Sequence, residues 1–187
     1  MMHLIVLAAG SARRFGEDKL LWLLDDKPMI VHTLDKLAHV AKENHCDITL
    51  VTKTGPVQEI AARYPIKTVL NPDHEQGISS SIKCALDSLP DDALPAVFFV
   101  ADQPWMDERN IAGFISGYAE SGMLCGCVSH NGEPGNPCAF SRTLFDELYA
   151  LNGDRGGKKV LMKHFDNCFI YEIADSRQLT DIDTKPI

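Results

Sequence analysis

Ala8-Ala9-Gly10, followed by Arg13, Arg14 and Lys19, places three small residues and three cations within twelve positions. Small residues let a backbone come close to a ligand. A loop with free N–H groups beside several cations is what a polyphosphate needs. The run before it, Leu4-Ile5-Val6-Leu7, reads as a buried strand. The cations therefore follow a strand's carboxyl end, where open α/β sheets bind ligands. Two familiar phosphate loops do not fit. Five residues separate Gly10 from Gly16 and Glu17 follows, so there is no P-loop, and the chain has no G-x-G-x-x-G.

The elements that must position this loop alternate. Apolar positions at helical spacing predict helices from Pro28 to about Asn44, over Pro56–Tyr64 and Ile78–Leu89, and from Asp107 to about Glu120. Pro28 suits a first turn and Asp107 an N-cap. Strands are predicted at Asp47–Thr52, Ile66–Leu70 and Pro95–Ala101, the last a continuous apolar run buried on both faces. Further on, Met123–Ser129 and Pro137–Phe140 read as short strands around the turn-rich segment 131–136. Helices at Arg142–Leu151 and about Gly157–His164 precede a strand at Cys168–Ile173. This β-α-β-α order implies a single α/β domain over residues 1–187, with a mainly parallel sheet and helices on both faces.

Composition narrows the function classes. The net charge of −8 over 187 residues argues against binding nucleic acid by phosphate neutralisation, while a few local cations can still hold a small anion. No apolar run approaches the roughly 20 residues that span a bilayer, and the start lacks a signal-peptide pattern, so the expected compartment is the cytoplasm. The six cysteines show no C-x-x-C spacing and read as reduced packing residues. Cys125 and Cys127 are expected to point to opposite faces of a strand. The seven histidines, His74 among them, form no metal-spaced set and read as surface or satisfied polar groups. Trp22 and Trp105 are expected to pack at the core or rim.

Leu7-Ala8-Ala9-Gly10-Ser11-Ala12-Arg13-Arg14-Phe15-Gly16 with Lys19 resembles the signature L-A-A-G-x-x-x-R-x-G-x-x-K of nucleotidyltransferases with a MobA-like domain. Asn71-Pro72 and Gly77-Ile78-Ser79-Ser80-Ser81-Ile82 resemble that family's second nucleotide loop, and Asp102-Gln103-Pro104 its metal-binding aspartate motif. Gly135-Asn136-Pro137, Leu151-Asn152-Gly153-Asp154-Arg155-Gly156-Gly157 and Asp181-Ile182-Asp183-Thr184 resemble a narrower branch, the molybdenum cofactor cytidylyltransferases. The resemblance runs through essentially the whole chain in order.

What it implies is specific. The fold would be a Rossmann-like sheet of the nucleotide-diphospho-sugar transferase type. CTP would bind Leu7, Ala8, Ala9, Gly10, Arg14, Lys19, Gly77 and Ser81. Arg14 and Lys19 would neutralise charge growing on the departing pyrophosphate, the first as a planar fork and the second as a point charge. Asp102, at the end of its strand, and Asp183 would hold Mg²⁺, which typically takes one or two carboxylates plus phosphate oxygens and waters. Serines 79–81 could instead simply cap a helix. Asn136, Asp154 and Arg155 would meet the acceptor, the molybdenum cofactor, with Lys158 and Lys159 near its phosphate. A molybdenum hydroxylase would receive the product. The remaining alternatives are GTP or another phosphorylated acceptor, and a non-catalytic carrier of the cofactor.

Overall fold

The opening apolar run becomes β1 (His3–Ala8), and its alternation decides which side chain enters which core. Leu4, Val6 and Ala8 point into one hydrophobic cluster and Ile5 into the other. A strand buried on both faces belongs in the middle of a parallel sheet. The computed structural model describes residues 2–10, 15, 18–90 and 95–184; the expectations for Arg13, Arg14 and Gly16 lie outside them.

After β1 come a two-stranded ribbon, β2 (Leu23–Leu24) and β3 (Lys27–Pro28), then α1 (Met29–Asn44), β4 (Asp47–Thr52), α2 (Pro56–Ala61) and β5 (Lys67–Leu70). Next are α3 (Ile78–Asp87), β6 (Ala96–Val100), α4 (Glu108–Ser121), β7 (Cys125–His130), β8 (Glu133–Phe140), α5 (Phe145–Tyr149), α6 (Lys158–Lys163) and β9 (Cys168–Glu172). The main sheet has seven strands in the order β5-β4-β1-β6-β8-β7-β9. Strands β5, β4, β1 and β6 are mutually parallel, β8 runs antiparallel to both neighbours, and β9 is parallel to β7. The mainly parallel α/β expectation therefore holds.

Helices cover both faces. Leu34, Leu37 and Val40 of α1 pack with Phe114 and Ile115 of α4 on Leu4, Val6 and Phe99. Ile82 and Leu86 of α3, Leu148 of α5 and Leu161 of α6 pack on Ile5, Phe98 and Phe140 on the other side. Among the described residues no helix is long and apolar enough to cross a membrane.

Several local expectations shift. Pro28 is the N-cap of α1 and closes β3, one position before the first turn. The β2–β3 ribbon was not predicted, although Asp25 and Asp26, with φ of 49° and 63°, form the kind of two-residue turn that hairpins favour. Strand β8 begins four residues earlier than the predicted Pro137, after a turn in which Asn131 and Gly132 also have positive φ. The predicted helix from Arg142 divides into a 3-10 turn, Arg142–Leu144, and the short α5. Cys125 and Cys127 point to the same face, because residues two apart on a strand share one, and both join Cys138 in the second core. All six cysteines are free thiols. Burial pushes the Cys138 thiol up to about 12, the protonated and unreactive state expected of packing residues.

Candidate functional site

Strand order determines where the site lies. The chain leaves β1 toward β4 and β5 on one side, then returns to β6 on the other. The carboxyl ends of β1 and β6 thus flank a topological switch point, where the loops diverge and leave a crevice. Leu7 lies opposite Val100 in the ladder, so Ala8-Ala9-Gly10 and Ala101-Asp102 emerge side by side. The Ala101 N–H donates to the Leu7 carbonyl at 3.2 Å and locks the two exits together.

A cavity of about 460 Å³ opens over these exits. Leu7, Ala8, Ala9, Gly10, Lys19, Gly77, Ser81, Asp102, Asp154 and Asp183 all line it. Among the described residues a Cβ at Gly10 would meet no atom within 4 Å, so their packing does not require this glycine. Its lack of a side chain leaves room in the cavity instead.

Lys19 is placed by a short 3-10 turn, Lys19–Leu21, capped by Asp18, whose carboxylate accepts from the Leu20 N–H at 3.2 Å. Lys53 pairs with the same aspartate at 3.2 Å. From this turn the Lys19 ammonium lies 2.6 Å from Asp102 Oδ2 and 3.1 Å from Asp183 Oδ1. Burial alone would lower its pKa, but the hydrogen bonds and charges of the two aspartates outweigh this and raise it above the ordinary value. Lys19 is a cation throughout the physiological pH range.

Asp183 reaches this point by a long route. The chain after β9 forms a 3-10 turn, Ser176–Leu179, and the Ile182 N–H donates to the Asp102 carbonyl at 3.0 Å. Desolvation first, and then the charge of Asp102, raise the carboxyl of Asp181, against a lowering hydrogen bond from Gln103. Asp181 accepts from Gln103 Nε2 at 2.7 Å, while Asp102 and Asp183 face the shared cation.

The second wall comes from α3. Gly77, not a serine, is its N-cap, and no serine side chain caps it. The Ser79 N–H donates to the Gly153 carbonyl at 3.1 Å, so the helix start is capped from the loop before α6. Gly77 has φ +92°, and a Cβ there would come within 2.4 Å of the Gly153 carbonyl carbon and 2.6 Å of Asp154 Oδ1. Only glycine permits that approach. Buried Asn71 donates to the Ser80 and Ser81 hydroxyls at 2.9 and 3.0 Å, which orients Ser81 at the cavity wall.

The acceptor candidates divide. Asp154 lines the main cavity. Asn136 lines a neighbouring cavity of about 120 Å³ that shares Leu7, Ile78 and Val100 with it. Lys158 also lines that smaller cavity and donates to the Pro134 carbonyl at 3.2 Å. Arg155 and Lys159 are exposed and line neither of these two cavities. Arg14 lies outside the described residues.

His74 corrects one expectation. It lines the main cavity together with Glu75, and its Nδ1 is buried with no hydrogen-bond partner among the described residues. It sits in a 3-10 turn, His74–Gln76, with no periodicity that would reveal which way it faces. Trp22 packs edge-on to Phe15 at 5.7 Å, and Arg177 lies over the Trp105 ring at 4.1 Å, so both tryptophans pack at the rim of the first core.

The donor set suits a divalent cation that brings much of its own shell. Among the described residues no group of three or more histidine, cysteine or carboxylate side chains is placed to cage a metal. Asp102 and Asp183 nevertheless converge on one cation, Lys19, which marks a place where positive charge is stabilised. Two carboxylates with open positions match an ion completed by phosphate oxygens and water.

A loop of small residues at the switch point of a parallel sheet, beside a lysine bridging two aspartates, is an arrangement suited to a polyphosphate and its cation. The chain belongs to the family of the MobA-like NTP transferase domain, whose family model matches residues 4–168. It is 26% identical to the purine catabolism protein PucB of Bacillus subtilis, over 96% of this chain and 90% of that one. A stretch of 32 residues is 62% identical to a probable molybdenum cofactor guanylyltransferase of Pyrococcus horikoshii, covering 17% of each chain. The crystal structure of Rv0371c from Mycobacterium tuberculosis H37Rv superposes with a TM-score of 0.80 at 26% identity, covering 98% of this chain and 92% of that one.

Proposed function

We propose that this nucleotidyltransferase transfers CMP from CTP to the terminal phosphate of the molybdenum cofactor and releases pyrophosphate. The observation that carries the reading is the convergence of Lys19, Asp102 and Asp183 at the mouth of the cavity formed by Ala8, Ala9 and Gly10. The cofactor as acceptor is supported by the match to a protein named for transfer to it. CTP as donor is supported by the resemblance of the segments 135–137, 151–157 and 181–184 to the cytidylyl branch.

In the proposed reaction an acceptor phosphate oxygen attacks the α-phosphorus of CTP. The new P–O bond forms as the bond from that phosphorus to the bridging oxygen breaks, and pyrophosphate leaves with the electron pair. The acceptor is the nucleophile, so positioning and charge stabilisation carry the catalysis. The backbone of Ala8–Gly10 offers N–H groups to the phosphates. Lys19 exchanges its carboxylate partners for the departing pyrophosphate, and Arg14 acts with it. Asp102 and Asp183 would hold Mg²⁺, which when bound polarises phosphoryl oxygens as a Lewis acid. Ser81, Gly77 and Asp154 form the wall against which the nucleoside is oriented, and Asn136 and Arg155 lie toward the acceptor. A molybdenum hydroxylase is the kind of enzyme that would take up the product.

A second reading, GTP with the same acceptor, is favoured by the 62% identity of the short segment to a guanylyltransferase. Pyrophosphate release, measured with each of the four NTPs and purified molybdenum cofactor, separates the two. The expected result is release with CTP at least about tenfold faster than with GTP, a difference of roughly 1.4 kcal/mol in transition-state binding. Faster release with GTP would assign the guanylyl reading instead.

A further inference from the structure

We infer that Gln103 is a positioning residue: its side-chain amide moors the C-terminal segment to the Asp102 loop and so holds Asp183 at the site. This rests on the reading of Asp183 as a metal ligand proposed above. Gln103 Nε2 donates to the Leu179 carbonyl at 2.9 Å and to Asp181 Oδ1 at 2.7 Å. An amide NH₂ carries two donors, so it can satisfy a carbonyl and a carboxylate together, which neither Leu nor Glu can do. The next residue, Ile182, is buried and pairs through its N–H with the Asp102 carbonyl. Asp183 follows, 3.1 Å from Lys19.

Asp183 depends on this mooring because little else holds it. Its side chain is 60% exposed, and among the described residues its hydrogen-bond partner is Lys19. Besides the Ile182 bond, the segment's anchors lie earlier in the chain: Arg177 over Trp105, and Gln178 Oε1 accepting from the Asp107 N–H and from Asn110 Nδ2. These fix the segment to the start of α4, but they leave several rotatable residues before Asp183. Gln103 lies immediately after Asp102, so one dipeptide both supplies a carboxylate and ties down the segment that brings the second. Without the amide, the segment loses two of its bonds to the Asp102 loop and keeps the Ile182 N–H on the Asp102 carbonyl. Residues that orient a ligand in this way typically contribute about 10–100-fold to metal affinity.

The test is Mn²⁺ binding, followed by electron paramagnetic resonance, to full-length protein with a non-hydrolysable CTP analogue. Wild type, Gln103→Leu, Asp183→Asn and the double variant are compared. The expected result is binding about tenfold weaker for Gln103→Leu, at least as weak for Asp183→Asn, and no weaker in the double variant than in Asp183→Asn. Gln103→Glu, which keeps the size but loses the donors, should bind as weakly as Gln103→Leu, with melting temperatures followed in parallel. Turnover of Gln103→Leu should recover at high metal concentration, with KM for metal raised and kcat restored, which a merely destabilised fold would not show. Wild-type Mn²⁺ affinity in both Gln103 variants, with Asp183→Asn weakened, would overturn the inference and leave the Asp183 assignment standing. Additive losses in the double variant would also overturn it. Unchanged binding by Asp183→Asn would remove the metal-ligand reading itself.

Discussion

Lys19→Ala will lower kcat/KM for nucleotidyl transfer by about 10²–10³-fold, the usual cost of removing one preorganised donor from developing charge. Its ammonium is largely shielded, with 16% of the side chain exposed, and it bridges Asp102 and Asp183. Shielding strengthens its field and also fixes its position, so water cannot readily replace it. Lys19→Arg should recover only part of the loss, because a planar fork does not occupy the place of a compact ammonium. The same Lys19→Ala substitution should increase the affinity of the nucleotide-free protein for Mn²⁺, since the lysine then no longer competes for the two carboxylates. Steady-state pyrophosphate release measures the first effect and metal titration the second. The raised pKa carries its own sign. Stability from the Lys19 pairings is fully present below the ordinary value of 10.5 and is lost as pH rises through the higher folded value. Activity changes near neutral pH must therefore come from other groups.

Asp102→Asn should reduce turnover by about 10³-fold even at saturating Mg²⁺, the scale of a Lewis-acid contribution of several kcal/mol. Asp102 is held on both sides: it lies two residues past the end of β6, next to Ala101, whose N–H is bound to the Leu7 carbonyl, and its own carbonyl accepts from Ile182. An amide keeps the shape but loses the charge, so metal affinity and pairing with Lys19 fall together. Its side chain is 23% exposed, against 60% for Asp183, which makes Asp102 the carboxylate on which the site depends more. Turnover assayed across a metal titration checks this. Wild-type turnover at saturating metal would mean that Asp102 is not the metal residue.

Much of this arrangement is legible in the sequence. Leu4–Leu7 and Val97–Val100 are continuous apolar runs, and such runs have one comfortable place, the centre of a parallel sheet. Once they are central and parallel, the residues just after them, Ala8–Gly10 and Asp102, must meet at the switch point. Other features depend on tertiary contacts that no local pattern encodes. Gly77 is legible as part of a nucleotide loop at a helix start, but not as a residue required by the approach of Gly153 and Asp154, about 75 residues later. His74 reads as a surface residue until the β5–α3 loop brings it to the cavity wall. Strand β8 was under-read because Pro134 and Pro137 resemble loop punctuation, yet the strand tolerates them where its pairing with β7 is irregular. Arg155 shows the limit of a motif: it stands in the expected order, but its exposed side chain is not among those lining the cavity.

The most direct measurement is the fate of the α-phosphate when purified protein, molybdenum cofactor and Mg²⁺ are incubated with CTP labelled at that position. Nucleotidyl transfer places the label in a cofactor–cytidine product joined through a pyrophosphate linkage, with unlabelled pyrophosphate released, and Lys19→Ala and Asp102→Asn each suppress it. If the cofactor binds but the label stays in CTP, the protein is a carrier and the proposed catalytic site is wrong.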